Sequence, residues 1–143
     1  MEQAMKFNAS DVQLSSSGGE YFQVRLSESE AKNCPYVLLQ NSFEFSRGPA
    51  YFECHDLALA GHGRVKRCEL RRASLEIDMS GSTEHITVTF DVPNEKIGNL
   101  AWMLRIILGK RVSFVNSSGI RENPIEDPEF QDGFIEGKDD YEG

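Results

Sequence analysis

The side chains best able to do chemistry in this chain are its three cysteines and three histidines. Cys54, His55, His62 and Cys68 lie close enough in sequence to raise a zinc site. Cys54 or Cys68 with His85 raises a thiol nucleophile and its base. Zinc ligands, however, come in closely spaced Cys or His pairs, and no such pair is present. Cys54 and His55 are neighbours on an expected strand, where they face opposite sides. No local signature surrounds either thiol, and a lone small thiol is more often core filler than nucleophile. Gly61-His62-Gly63 lacks the further glycines, the Lys-Ser/Thr pair and the following helix of a phosphate loop. Glu76 and Asp78 fall on what should be the solvent face of a strand, the usual place for solvated charge rather than for a general acid. The expectation is a protein that is not an enzyme and uses no metal and no cofactor.

Charge is unevenly placed. Residues 121–143 hold nine acids against Arg121 and Lys138, a net −7, while residues 1–120 hold fourteen acids and thirteen bases, a net −1. The total of −8 therefore sits almost wholly in the tail, which reads as an interaction or solubilising element. The one basic cluster, Arg64, Lys66, Arg67, Arg71 and Arg72, suits an anion, the acidic tail in cis, or a solvated hairpin end. It carries no interleaved aromatics, so nucleic acid is not an expected partner. Three cysteines make an odd count, and the N-terminus shows no basic-then-apolar leader, so a cytoplasmic chain with free thiols is expected. The longest mainly apolar stretch, Leu100–Leu108, contains Arg105 and is too short to span a bilayer, which argues against a membrane partner.

The elements that must position these residues follow from hydrophobic period. Residues 4–14 read as a weak first strand, and Ser15-Ser16-Ser17-Gly18-Gly19 as a break. Tyr21–Leu26 alternates with Phe22, Val24 and Leu26 on one face; Pro35 opens a strand through Gln40, continued by Phe43 and Phe45. Arg47-Gly48-Pro49 is a turn signal, and Ala50–Leu59 is β-prone around Tyr51–Cys54. Val65–Leu70, then Leu75, Ile77 and Met79, then Ile86, Val88 and Phe90 form a meander, with a turn at Arg71-Arg72-Ala73 and a loop at Gly81-Ser82-Thr83. At Pro93 the period changes to that of a helix. Ile97, Leu100, Ala101, Leu104 and Leu108 make a core stripe, and Gly109 followed by Lys110 and Arg111 stops it. Val112–Val115 is a short last strand. The fold class is α+β: a mainly antiparallel, twisted multi-stranded sheet, built as a meander and packed against one long C-terminal helix. The domain spans 1–120 and a mobile acidic tail spans 121–143.

One feature of the helix departs from a simple amphipathic pattern. At about 100° per residue from Ile97, Trp102 and Ile106 fall at about 140° and 180°, beside Glu95 at about 160°. An outward Trp–Ile pair one turn apart points either to an interface or to cover from elsewhere in the chain. Trp102, Ile106 and Glu95, with the tail carboxylates Glu126, Asp127 and Asp132, are therefore the candidate partner-binding residues.

The order PYVLLQ, VKRCELRRASLEIDM, HITVTFDV and NLAWMLRIILGK resembles the immunity protein 10 family of bacterial polymorphic toxin and contact-dependent growth inhibition systems. The pattern closes a strand on Gln40. It continues with Leu70, Arg72 and Leu75 in a hairpin, Ile86–Asp91 in a strand, and Leu104, Ile107 and Gly109 at the helix end. It covers about residues 20–112, leaves the acidic tail outside, and has Leu38-Leu39 where the family is Asp-rich. The resemblance implies a non-catalytic protein that binds and neutralises the C-terminal domain of a cognate toxin, with a basic nuclease as one suitable target. The alternative is a homo-oligomeric accessory or small-ligand-binding domain, with the helix face as the contact of a homodimer.

Overall fold

The computed structural model describes residues 4–17, 21–30, 33–42, 49–81, 84–115 and 120–125. Phe43, Phe45, Gly18, Gly19, Arg47, Gly48, Ser82 and Thr83 lie outside the described residues, as does everything from Glu126 onward, including Asp127 and Asp132.

The chain forms β1 (Ala4–Ala9), β2 (Asp11–Ser17), β3 (Tyr21–Ser27), β4 (Tyr36–Ser42), β5 (Tyr51–Cys54), β6 (Gly61–His62), β7 (Val65–Arg71), β8 (Ser74–Met79), β9 (His85–Phe90), α1 (Asn94–Leu108) and β10 (Val112–Phe114). The class is α+β, as the periods indicate. The strands divide into two five-stranded sheets rather than one, ordered β1-β9-β8-β7-β10 and β2-β3-β4-β5-β6. The division begins at Ser10. The first apolar stretch is not one strand but two, because the chain bends there and the Ser10 hydroxyl donates to the Glu28 carbonyl at 2.6 Å. β1 joins the first sheet and β2 the second. The Ser15–Ser17 run, expected as a break, continues β2 in register with β3.

The second sheet is a purely antiparallel meander. The first is antiparallel only at its centre; both its edges are parallel, with β1 on β9 and β10 on β7. Within β7 a register shift between Val65 and Arg67 resets the alternation, so that Val65, Cys68 and Leu70 all turn inward. Such a bulge adds one residue to one strand and is invisible to a strict period of two.

Each sheet has one apolar face. Phe7, Leu75, Ile77, Ile86 and Val88 on one, and Leu14, Val24, Leu26, Leu39 and Phe52 on the other, join the buried side of α1 in a single core. The helix lies on β3, with β2 and β4 to either side. Its expected stripe is fully buried or nearly so, and Met103 and Ile107 widen it. The Asn41 side chain on β4 donates to the Ile107 carbonyl at 3.1 Å and ties the helix to the second sheet. Gly109 ends the helix with φ of 59°, its amide donating to the Arg105 carbonyl; a residue there must tolerate the left-handed region. No helix among the described residues is long and apolar enough to cross a membrane.

After β10 the chain returns across the helix. The Asn123 amide donates to the Gly98 carbonyl at 3.0 Å, Asn99 donates to the Asn123 carbonyl at 2.7 Å, and Arg105 pairs with both oxygens of Glu122 at 3.0 Å. Ile120 and Ile125 pack against the core. Residues 120–125 are thus a strap on α1.

Candidate protein-binding face

The residues singled out on the helix do not form an outward patch. Trp102 is half-buried, edge-on to Phe22 of β3 with ring centroids 6.1 Å apart at 81°. Ile106 is half-buried as well and lines an open cleft of about 250 Å³ with Asn41, Ala50, Val65 and Arg111. Of the three, only Glu95 is exposed. Phe22 thus covers part of Trp102 from within the chain, while Ile106 borders the cleft. Glu126, Asp127 and Asp132 lie outside the described residues.

The thiol and histidine groups are also kept apart. Cys54 and Cys68 are fully buried, and burial raises both thiols above their usual range. Cys68 faces the core from β7, whereas His85 stands on the opposite face of the same sheet, paired with Asp78 rather than with Ile77, the partner of Cys68. Among the described residues, no group of three His, Cys, Asp or Glu could hold a metal ion. The basic cluster is dispersed. Arg64 donates to the Leu59 carbonyl, Arg71 pairs with Glu76 at 2.9 Å, and Arg72 donates to Asn94 and the Val92 carbonyl.

The two outer sheet faces differ in what they present. On the first sheet, His85 is held between two carboxylates, Nδ1 at 2.6 Å from Asp78 and Nε2 at 3.1 Å from Glu76. Arg71 pairs with Glu76, and Arg67 lies 4.0 Å from Asp78. Both ring nitrogens can donate to these carboxylates only when both carry a proton, so the hydrogen bond to Asp78 and then that to Glu76 raise the imidazole above its ordinary range. Arg67, Asp78, His85, Glu76 and Arg71 thus form one chain of alternating bases and acids.

The outer face of the second sheet is aromatic and amide-rich. The same alternation that sends Phe22, Val24 and Leu26 inward sends Tyr21, Gln23 and Arg25 outward; β4 contributes Tyr36, Leu38 and Gln40, and β5 contributes Tyr51 and Glu53. Three of the four tyrosines in the chain therefore share one face. Cross-strand pairing of Gln23 with Gln40, and of Gln40 with Tyr51, brings them together. The Gln40 side-chain oxygen accepts from Tyr21 at 3.1 Å and from Gln23 at 3.2 Å, and Gln23 donates to the Tyr21 hydroxyl at 2.7 Å. Glu53 accepts from Tyr51 at 2.8 Å and, in a short hydrogen bond, from Tyr36. Burial, and then the Glu53 hydrogen bond, hold the Tyr36 phenol protonated well above its usual range; for Tyr51 the Glu53 bond comes first. Arg25 stands over the Tyr36 ring at 5.4 Å, and His62 lies against Tyr51 with centroids 5.3 Å apart.

These phenols are fixed at both ends, by packing of the ring and by a carboxylate or amide at the hydroxyl. What such a face does well is bind a surface: tyrosine offers a large amphipathic contact at low conformational cost. In sequence it was visible only as the residues left over when the apolar phase of each strand was marked. Tyr21, Tyr36 and Tyr51 each open a strand, which is the signal that would have found them. No family model matches the chain, and no curated protein matches it either.

Proposed function

We propose that this protein is a non-catalytic immunity protein that binds and neutralises the toxic domain of a cognate bacterial toxin in the cytoplasm, and that it does so through the outer face of β3, β4 and β5. The observation that carries this reading is the arrangement of Tyr21, Tyr36 and Tyr51 on one sheet face, each hydroxyl already engaged by Gln23, Gln40 or Glu53. Aromatic anchors held in place before binding lose little freedom on association, and that is where interface hot spots concentrate. The resemblance in sequence supports the same reading, since the strand it closes on Gln40 supplies the acceptor at the centre of this face. A net charge of −8 favours capture of a basic target by steering and complementarity.

The test is binding and inhibition with the toxin domain encoded beside this chain. Tyr36→Ala with Tyr51→Ala should weaken the complex at least about 100-fold, the combined loss of two hot-spot side chains at about 2 kcal/mol each. Trp102→Ala should leave affinity within about threefold, because the indole is packed on Phe22. No binding at all by the intact chain overturns the immunity reading. Full affinity in the double tyrosine variant moves the contact elsewhere on the molecule.

A further inference from the structure

Glu53 differs from the other acids held in ordered networks. Glu76 has Arg71 and His85, Asp78 has His85 and Arg67, and Glu122 has Arg105. Glu53, half-buried on β5 between Tyr36 and Tyr51, meets two phenol hydroxyls and has no cationic partner among the described residues. The nearest cation of the same row is Arg25, which pairs with Leu38, which in turn pairs with Glu53. Two strand spacings separate the acid and the base, about 10 Å between their backbones, and Arg25 is turned onto the Tyr36 ring instead. Two neutral donors orient the carboxylate without cancelling its charge. Each oxygen has a further lone pair, and aromatic rings stand on either side.

We propose that Glu53, with Tyr36 and Tyr51, is a receptor for an arginine side chain presented by a basic partner protein; this rests on the outer face of the second sheet being the binding surface. A guanidinium fits for two reasons. Its planar fork matches a carboxylate whose outer lone pairs are open, and its flat faces stack on phenol rings. Within this chain arginine already takes such positions, over Tyr36 at 5.4 Å and over Phe114 at 4.7 Å. A lysine ammonium would gain the charge but neither the fork nor the stacking. Charge complementarity chooses a basic occupant over an acidic one, since Glu53 has no cationic partner among the described residues and the chain as a whole is acidic.

The experiment titrates the full chain with a hexa-arginine peptide and follows the ring signals of Tyr36 and Tyr51 by NMR, with hexa-lysine in parallel. These signals report the face itself, separately from any attraction of the peptide to the acidic tail. The rings should shift saturably with hexa-arginine, at least tenfold more tightly than with hexa-lysine. Glu53→Gln, which keeps the shape and one acceptor but removes the charge, should lose at least tenfold. Should that variant unfold, high salt on the wild-type chain replaces it and should abolish the shifts. Silent rings overturn the proposal, as does an undiminished response in Glu53→Gln, and equal response to hexa-lysine overturns the assignment to arginine. Toxin binding with silent rings would sink this site and leave the immunity reading standing, whereas shifting rings without toxin binding would do the reverse.

Discussion

Gly98 allows the strap to be tested by the sign of a single substitution. An added Cβ would fall inside contact distance of the Arg121 carbonyl oxygen and 3.0 Å from the Asn123 Cβ. Two effects then oppose each other. Alanine exceeds glycine in a helix interior by about 1 kcal/mol. Against that, the backbone of the strap must move, which costs about 1–3 kcal/mol as overpacking. If the strap leaves instead, two hydrogen bonds at about 1 kcal/mol each are lost, together with the partial burial of Ile120 and Ile125. The exposed Arg105–Glu122 pair adds less than about 1 kcal/mol. The second effect is the larger, so Gly98→Ala should destabilise the full chain by up to about 2 kcal/mol, a fall in Tm of up to roughly 8 °C. Urea midpoints and calorimetry measure this directly. In a chain ending at Val115, which lacks the strap, the same change should become stabilising by up to about 1 kcal/mol. A full-length Gly98→Ala protein more stable than the parent by about 1 kcal/mol would refute the strap.

His85 predicts a pH dependence of defined sign. Its folded-state value is raised above 6.5 by Asp78 and then Glu76, so its contribution is fully present below the unfolded value and is lost as pH rises through the folded one. Relative to His85→Gln, the parent should be most favoured near pH 6 and lose that advantage toward pH 9; a constant difference across this range would refute the clamp. Cys54 and Cys68 are buried with raised thiols, so the native protein should react slowly at both with a disulfide reagent and rapidly in urea. Fast labelling of native Cys68 would contradict its place in the core.

Legibility of the fold followed the range of the physics. Local periodicity placed β7, β8, β9 and α1, because each has an apolar phase held over several residues and a stop such as Arg72-Ala73 or Gly109. It did not reveal that the strands divide into two sheets, since that turns on a bend fixed by Ser10 and Glu28, eighteen residues apart. Nor did it place the strap, which depends on Gly98 having no side chain where Arg121 passes. The helix pair Trp102 and Ile106 stood out because one apolar stripe was expected to suffice, but a helix laid on a sheet face within a shared core buries more than one stripe. The tyrosines were missed for the complementary reason: the polar phase of a strand carries no signal by itself until pairing shows which residues stand side by side.

The contrast between the two outer faces decides where a partner is expected. On the first sheet Glu76 and Asp78 each meet a base, and His85 joins the two. A partner docking there would have to break these ion pairs, or bury them intact, at a desolvation cost that complementary groups offset only with good geometry. On the second sheet the polar groups are engaged mostly with one another as neutral phenols and amides, whose burial costs far less once they are hydrogen-bonded. Glu53 has no cationic partner among the described residues, and one cation from a partner would complete its network instead of disrupting it. A binding surface of this design makes most of its contact area through rings and places one carboxylate, Glu53, between two of them. Specificity is then concentrated at that position, because a partner lacking the cation would bury Glu53 unpaired.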